Sequence, residues 1–476
     1  SGILDFMENV LTIGNKMNKN QQAILDYTES IRLNPEDRAA LIGRGDSFAQ
    51  IGDYEQAIAD YSEAIRLNPA EADVFYRRGN LYRKMKVFEP ALADFSEAIR
   101  LDPANAKNWV GRGNTYYEQR SFEAAIADYG AALDLDPTYP AALYNRGKCY
   151  AEIEADTLAL ADFEAVLRLN PQDGAAYFSR GRLQAKTGNY QPAIADYTQA
   201  LVLDPEDALA LIGRGSSYAE LGDYSPALAD FEAAIRLDPQ EAQAFIGRGL
   251  VRLKLADFAG AVADYDEALR LRPEDAEALV ARGMLHYQLG QAELALADYA
   301  AAIRLKPQDA RSAFGRGLIY AQQGDHERAV VNFSQALRLE PAFVAALAGR
   351  ANSYQKMGDY EHALADYCQA LSLNPLNASV LYNRGLLYHH MGQTELALAD
   401  YSEAVRLNPQ DSLAFYNLAC LLATQNRTTE AVASLQQALA VDKTGARLNN
   451  AQTDPDFDPI RADLRFQALL TGCKDD

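Results

Sequence analysis

Residues 38–69 read RAALIGRGDSFAQIGDYEQAIADYSEAIRLNP, and this stretch decides the fold. With positions counted from Arg38, the residues Leu41, Gly45, Phe48 and Ile51 fall three or four apart, the spacing of one helix face. Gly52-Asp53 interrupts that face, and Asp53 is placed to cap a second helix carrying Ala57, Tyr61, Ala64 and Leu67. Gly45 and Ala57 are small where two antiparallel helices would cross, and Tyr61 fills the space beside them. Pro69 ends the unit and opens the next.

That unit recurs. Pro35, Pro69, Pro103, Pro137, Pro171, Pro205, Pro239, Pro273, Pro307, Pro341, Pro375 and Pro409 lie 34 residues apart without a slip. A fixed period of supersecondary size means that each unit leaves an apolar face for its neighbour to cover, so the molecule grows along one direction. The remaining prolines agree with the helix assignment, since proline is tolerated in a first turn and breaks an interior. Pro90, Pro192 and Pro226 fall in the first turn of a second helix, Pro140 opens a first helix, and Pro455 and Pro459 lie in the tail. Asn189, Asp223, Asp257, Asp325 and Asp359 repeat the capping position of Asp53.

Composition narrows the function. The 476 residues carry 66 acids against 45 bases, a formal charge of −21 that opposes the phosphate backbone and argues against nucleic acid as a partner. No apolar run approaches the roughly 18 residues of a membrane span. Cys149, Cys368, Cys420 and Cys473 are scattered, with no CxxC pair, so neither a disulfide framework nor a zinc site is indicated and a reducing cytoplasm is expected. Ser1-Gly2 without a methionine reads as a cloning scar or processed end, leaving open a removed leader or a flanking domain.

The small residues at positions 8, 20 and 27, the aromatic at 24 and the proline at 32 resemble the tetratricopeptide repeat, and the resemblance covers nearly the whole chain. It implies an all-α, right-handed α-solenoid of about 12–13 helix pairs with a C-terminal capping helix. The expected division is a degenerate N-terminal repeat or cap over 1–37, twelve helix pairs over 38–445, and a tail with the capping helix over 446–476. In the first of these, Asn20 to Leu33 supply a second helix, while Ile3 to Met17 departs from the pattern with Leu11 where a small residue belongs. In the tail, Ile460, Leu464, Phe466, Leu469 and Leu470 suit a final helix covering the exposed end.

One departure recurs. Position 7, usually leucine in the resembled family, is arginine in eleven consecutive repeats from Arg44 to Arg384, and position 23 is aspartate in all of them except at Asn332. In the last pair both change together, to Leu418 and Ser434. Antiparallel helices folded about a turn near position 15 set residues level when their positions sum to about 30, which predicts an arginine–aspartate pair in each repeat, Arg44 with Asp60 and Arg214 with Asp230 among them. An arginine ladder for an acidic ligand is the functional alternative, but an aspartate at the same level would neutralise it.

The resemblance places ligands on the concave face lined by first helices, at positions 2, 5, 9, 12 and 13. Relatives that clamp a chaperone's C-terminal carboxylate need lysine at position 5, which is absent here, so that role is disfavoured. The face instead offers a basic-aromatic zone of Tyr76, Asn80, Arg83, Lys84, Lys107, Asn114, Tyr117, Tyr144, Lys148, Phe178, Arg182 and Lys186, suited to an acidic peptide. An apolar zone of Ile246, Leu250, Leu253, Val280, Met284, Tyr287, Phe314 and Leu318 reads as a groove for an amphipathic helix. Any single one of these residues could equally pack against a neighbouring first helix.

Catalytic signatures are missing: there is no GxSxG elbow, P-loop, HExxH or clustered ligand set. The recurrent GRG lies mid-helix and reads as a packing site. Adjacent His389-His390 point about 100° apart on a helix, a poor chelate for one metal. The expected function is a scaffold that holds a protein or peptide partner, with no enzyme activity, cofactor, nucleic acid or membrane insertion. The alternatives are the regulatory or docking portion of a larger enzyme, and a self-assembling scaffold; a homo-oligomer is possible and not indicated.

Overall fold

The computed structural model describes residues 19–472, and all regular structure among them is helical. The segment Ile3 to Met17 and Cys473 lie outside the described residues. A helix over residues 19–33 comes first. Twelve helix pairs follow, from Arg38–Ile51 with Tyr54–Leu67 to Ser412–Thr424 with Thr428–Val441. Within a pair the first helix is 13 or 14 residues long and the second is 14. The chain divides into two compact units at Pro239–Gln240, each with six pairs. Inside each unit a second helix packs on the next first helix, and first helices also touch the first helices of adjoining pairs.

Local chemistry fixes the hairpins. Position 15 takes the left-handed conformation in every pair, as glycine at Gly52, Gly188, Gly222, Gly290, Gly324, Gly358 and Gly392. Lys86, Arg120, Glu154, Ala256 and Asn426 adopt it with φ between 58° and 60°, at a cost of about 1–2 kcal/mol for a residue with a Cβ. The side chains of Asp53, Asp257, Asp325 and Asp359 accept a backbone N–H three residues on and cap the second helix. Asn189 and Asp223 occupy the same position without a side-chain capping bond, and Asn189 donates to Thr187 Oγ1 instead. First helices are capped too, by Asp37, Asp173, Asp207, Asp275 and Asp411 just ahead of them.

Inside a pair, Ala57, Tyr61 and Ala64 are fully or almost fully buried, and their counterparts repeat through both units. The glycines of GRG let two aromatic rings close on the first helix. A Cβ on Gly213 would lie 2.5 Å from Tyr197 Cζ of the preceding pair, whereas one on Gly215 would lie 3.3 Å from Phe231 of its own pair.

The tail is more structured than its polar sequence suggests. It forms a helix at Ala446–Thr453, a 3-10 turn at Pro455–Ile460 and a helix at Leu464–Gly472. Phe457, Ile460 and Phe466 are buried in one cluster with Tyr416, Leu418 and Leu435, while Leu469 and Leu470 pack at its edge. Leu464 does not join them and is 80% exposed, because it opens its helix on the side away from Phe466.

Candidate functional site

Arginine at position 7 and aspartate at position 23 meet in ten pairs. Arg44 donates from Nε to Asp60 Oδ2 at 2.9 Å and from Nη2 to Oδ1 at 2.7 Å. Arg214 does the same to Asp230 at 2.8 and 2.7 Å. The two parallel bonds fit a planar fork to a carboxylate. The carboxylates are buried and the guanidiniums mostly so: Asp230 is 9% exposed and Arg214 21%. Bonding to the carboxylate raises the pKa of Arg214 against the opposing effect of burial. In Arg384 the same cause acts through Asp400.

In seven of these pairs the third arginine nitrogen also reaches back one repeat. Arg78 Nη1 donates to Ser62 Oγ at 2.8 Å, Arg112 to Ser96 at 3.1 Å, Arg214 to Thr198 at 3.3 Å and Arg350 to Ser334 at 3.0 Å. Position 25 therefore carries a linking hydroxyl that reasoning from the sequence overlooked, although Thr28, Ser62, Ser96, Thr198 and Ser334 recur there. Aromatic rings at positions 4 and 11 flank the guanidinium, as Phe75 and Tyr82 do at Arg78. So engaged, these arginines tie one repeat to the next. At the exception, Asn332 donates to Arg328 O at 2.8 Å rather than accepting from Arg316.

The first-helix face of the N-terminal unit combines free and committed side chains. Lys148 Nζ sits 4.6 Å from the Tyr117 ring centroid and 5.7 Å from that of Tyr144, within reach of both π-faces. Tyr144 Oη is 3.0 Å from Ser179 Oγ of the next pair, which holds the ring in place. Arg182 and Lys186 are exposed and line a cleft of roughly 350 Å³ with Ser179, Leu183, Glu152 and Glu154. Lys186 stands 3.8 Å from Asp156, and Lys84 and Lys107 are exposed. Tyr76 and Phe178 are half-buried, edge-on to Phe95 and Tyr197 respectively.

Three members of that zone are already occupied. Arg83 pairs with Glu118 of the next first helix. Asn114 accepts from both Tyr129 Oη at 2.7 Å and Asn145 Nδ2 at 2.9 Å. Asn80 donates to the Tyr76 carbonyl of its own helix. Each commits at least one polar atom to the array.

The apolar zone of the C-terminal unit is less open than its sequence implies. Val280 is only 3% exposed, buried among Leu279, Leu285 and Tyr265, because its short branched side chain at position 5 cannot reach past the helix contact. Ile246, Leu253 and Tyr287 are half-buried against the same core. Phe314 lies against Phe333 and Phe343, with Leu318 beside the cluster. Leu250 at 40% and Met284 at 48% are what the face exposes.

No described helix is long and apolar enough to cross a membrane. No curated protein matches the chain. Among solved structures, the APC/C hetero-tetramer Cut9–Hcn1 is 18% identical, with 85% of this chain and 93% of that chain covered and a TM-score of 0.47. YrrB, described as a TPR protein with an unusual peptide-binding site, is 27% identical over 39% of this chain and 95% of its own, with a TM-score of 0.35. Yeast Tom70 is 16% identical over 87% of this chain and 99% of its own, with a TM-score of 0.39. A tetratricopeptide repeat model matches residues 157–208, 178–242, 212–276, 246–310, 280–342, 348–412 and 391–447, and a second matches 72–105. A TPR repeat model matches residues 45–86 and 113–153. With more than half of its length matched in this way, the chain belongs to the tetratricopeptide repeat family, whose repeats build protein-interaction scaffolds.

Proposed function

We propose that the chain binds an acidic segment of a partner protein on the concave, first-helix face of its N-terminal unit, in the cytoplasm. The observation that carries this reading is Lys148, within reach of the Tyr117 and Tyr144 rings, with exposed Arg182 at the same position of the next first helix, in a chain whose formal charge is −21. Neither Lys148 nor Arg182 has a carboxylate partner among the described residues, unlike ten of the arginines of position 7. A peptide carboxylate would gain a charge-assisted bond there without displacing a native one. The held tyrosine rings would lose little entropy on contact. The apolar zone supports docking less well, since Val280 is buried and Phe314 is packed. The role assigned is binding, not catalysis.

Selection from a random peptide library tests the proposal, run in parallel on the wild type and on Tyr144→Ala/Lys148→Ala/Arg182→Ala with its helicity checked. Acidic peptides should be enriched by the wild type alone, with affinity falling as salt rises. Equal enrichment by both proteins would refute the site.

A further inference from the structure

The array ends in a cavity whose wall brings together side chains that the sequence keeps far apart. Cys420, from the helix Ser412–Thr424, faces Asp454 and Asp456 of the tail, and their ligand atoms all lie within 4.8 Å of one another. The cavity, roughly 250 Å³, is also lined by His389 and His390 from the preceding pair. A thiol, two carboxylates and two imidazoles around one space form the clustered ligand set that is not visible along the chain.

We propose that this cavity is a divalent transition-metal site, with Zn²⁺ as the fitting ion, held by Cys420, Asp454 and Asp456 and open on its fourth side toward His389 and His390. Tetrahedral zinc with bonds of 2.0 to 2.3 Å separates its ligand atoms by about 3.3–3.8 Å. Cys420 Sγ and Asp454 Oδ2 stand 3.7 Å apart. The surroundings orient the ligands: Tyr416 Oη donates to Asp454 Oδ2 at 2.7 Å, and the Asp456 N–H donates to Asp454 Oδ1 at 3.0 Å. Such supporting bonds accompany metal ligands and fix their direction. A thiolate favours zinc over calcium or magnesium, which take oxygen ligands. On binding, the ion replaces the Cys420 thiol proton, which passes to solvent, and it ties the tail to the last helix pair.

The probe is the metal alone. Cobalt(II) titrated into the full chain should saturate at one equivalent with a sulfur-to-cobalt charge-transfer band, and zinc should displace it. Zinc should also slow amide exchange over residues 446–460. Cys420→Ser should abolish the band, and Asp456→Asn should weaken zinc binding roughly tenfold or more. Asp456 is half exposed, so its variant carries the test if Cys420→Ser fails to fold. Absence of the band in the wild type would overturn the site. So would zinc affinity unchanged in both variants but lost in His389→Ala/His390→Ala, since a surface histidine pair would then hold the ion.

Discussion

The sixth helix pair and the last solve the same packing problem with opposite chemistry. In the sixth pair, the helix Ala208–Glu220 presents Gly213-Arg214-Gly215, with the arginine forked onto buried Asp230 and the glycines against the rings of Tyr197 and Phe231. In the last, the corresponding residues are Asn417-Leu418-Ala419, Leu418 is buried at 6% exposure, and the second helix supplies Ser434 and Leu435 instead of aspartate and an aromatic. A leucine seals the contact by packing and makes no polar bond to the preceding pair. The arginine also bonds Thr198 of the preceding pair at 3.3 Å, so it stitches neighbours together and costs a buried charge that only its aspartate compensates. The last pair has the tail cluster of Phe457, Ile460 and Phe466 beside it and can use the apolar solution.

The sharpest way to break this contrast is to remove half of the polar solution. Asp230→Ala leaves Arg214 largely buried without its carboxylate, and the expected loss is about 3 kcal/mol. Urea denaturation measures it, with amide exchange over residues 208–237 as the local readout, because a repeat array need not unfold in one step. Arg214→Leu combined with Asp230→Ser installs the last pair's residues and should recover stability to within about 1 kcal/mol of the wild type. A double variant as unstable as Asp230→Ala would show that the apolar solution depends on the tail.

How much of this could be read from the chain varies with the range of the interaction. Helix pairs, their proline punctuation and the level meeting of positions 7 and 23 follow from periods and antiparallel geometry, which are local. Residues of the proposed binding face are harder, because exposure depends on side-chain length and on the neighbouring helix. Position 5 turns partly inward, so Val280 is buried while Tyr144 keeps an exposed edge; position 9 turns outward, exposing Leu250, Met284 and Arg182. Asn114 and Arg83 carry no mark in the sequence of being spent on Asn145 and Glu118, each in another repeat. The meeting of Cys420 with Asp454 depends on the irregular tail, which no period describes.

Two smaller changes sharpen the comparison. Gly213→Ala places a Cβ 2.5 Å from the Tyr197 ring, and the expected cost is about 1–2 kcal/mol from overpacking. The eighth pair has Ala281 at this position beside Tyr265, so a pair built around the methyl group can accommodate it; a single substitution relaxes only in part. A neutral Gly213→Ala in the same denaturation assay would mean that the helix spacing is soft. Next, Asn332→Asp supplies the carboxylate that Arg316 lacks and should stabilise by about 1 kcal/mol, the scale of a charge-assisted bond offset by burial. No gain in the urea midpoint would mean that the ninth pair has settled around Asn332 and its bond to the Arg328 carbonyl.

The smallest effect is expected at the other glycine of the same tripeptide. A Cβ on Gly215 would stand 3.2 Å from Asp230 Cβ and 3.3 Å from the Phe231 ring, close enough to require a few tenths of an ångström of movement. One pair already makes that adjustment: Ala351 faces fully buried Tyr367. Alanine also gains about 1 kcal/mol over glycine in a helix interior, which offsets the squeeze. Gly215→Ala should therefore stay within about 0.5 kcal/mol of the wild type. A loss as large as that of Gly213→Ala would place the tight contact between the two helices of one pair, whereas the predicted asymmetry places it at the preceding repeat's ring, where the arginine also makes its link.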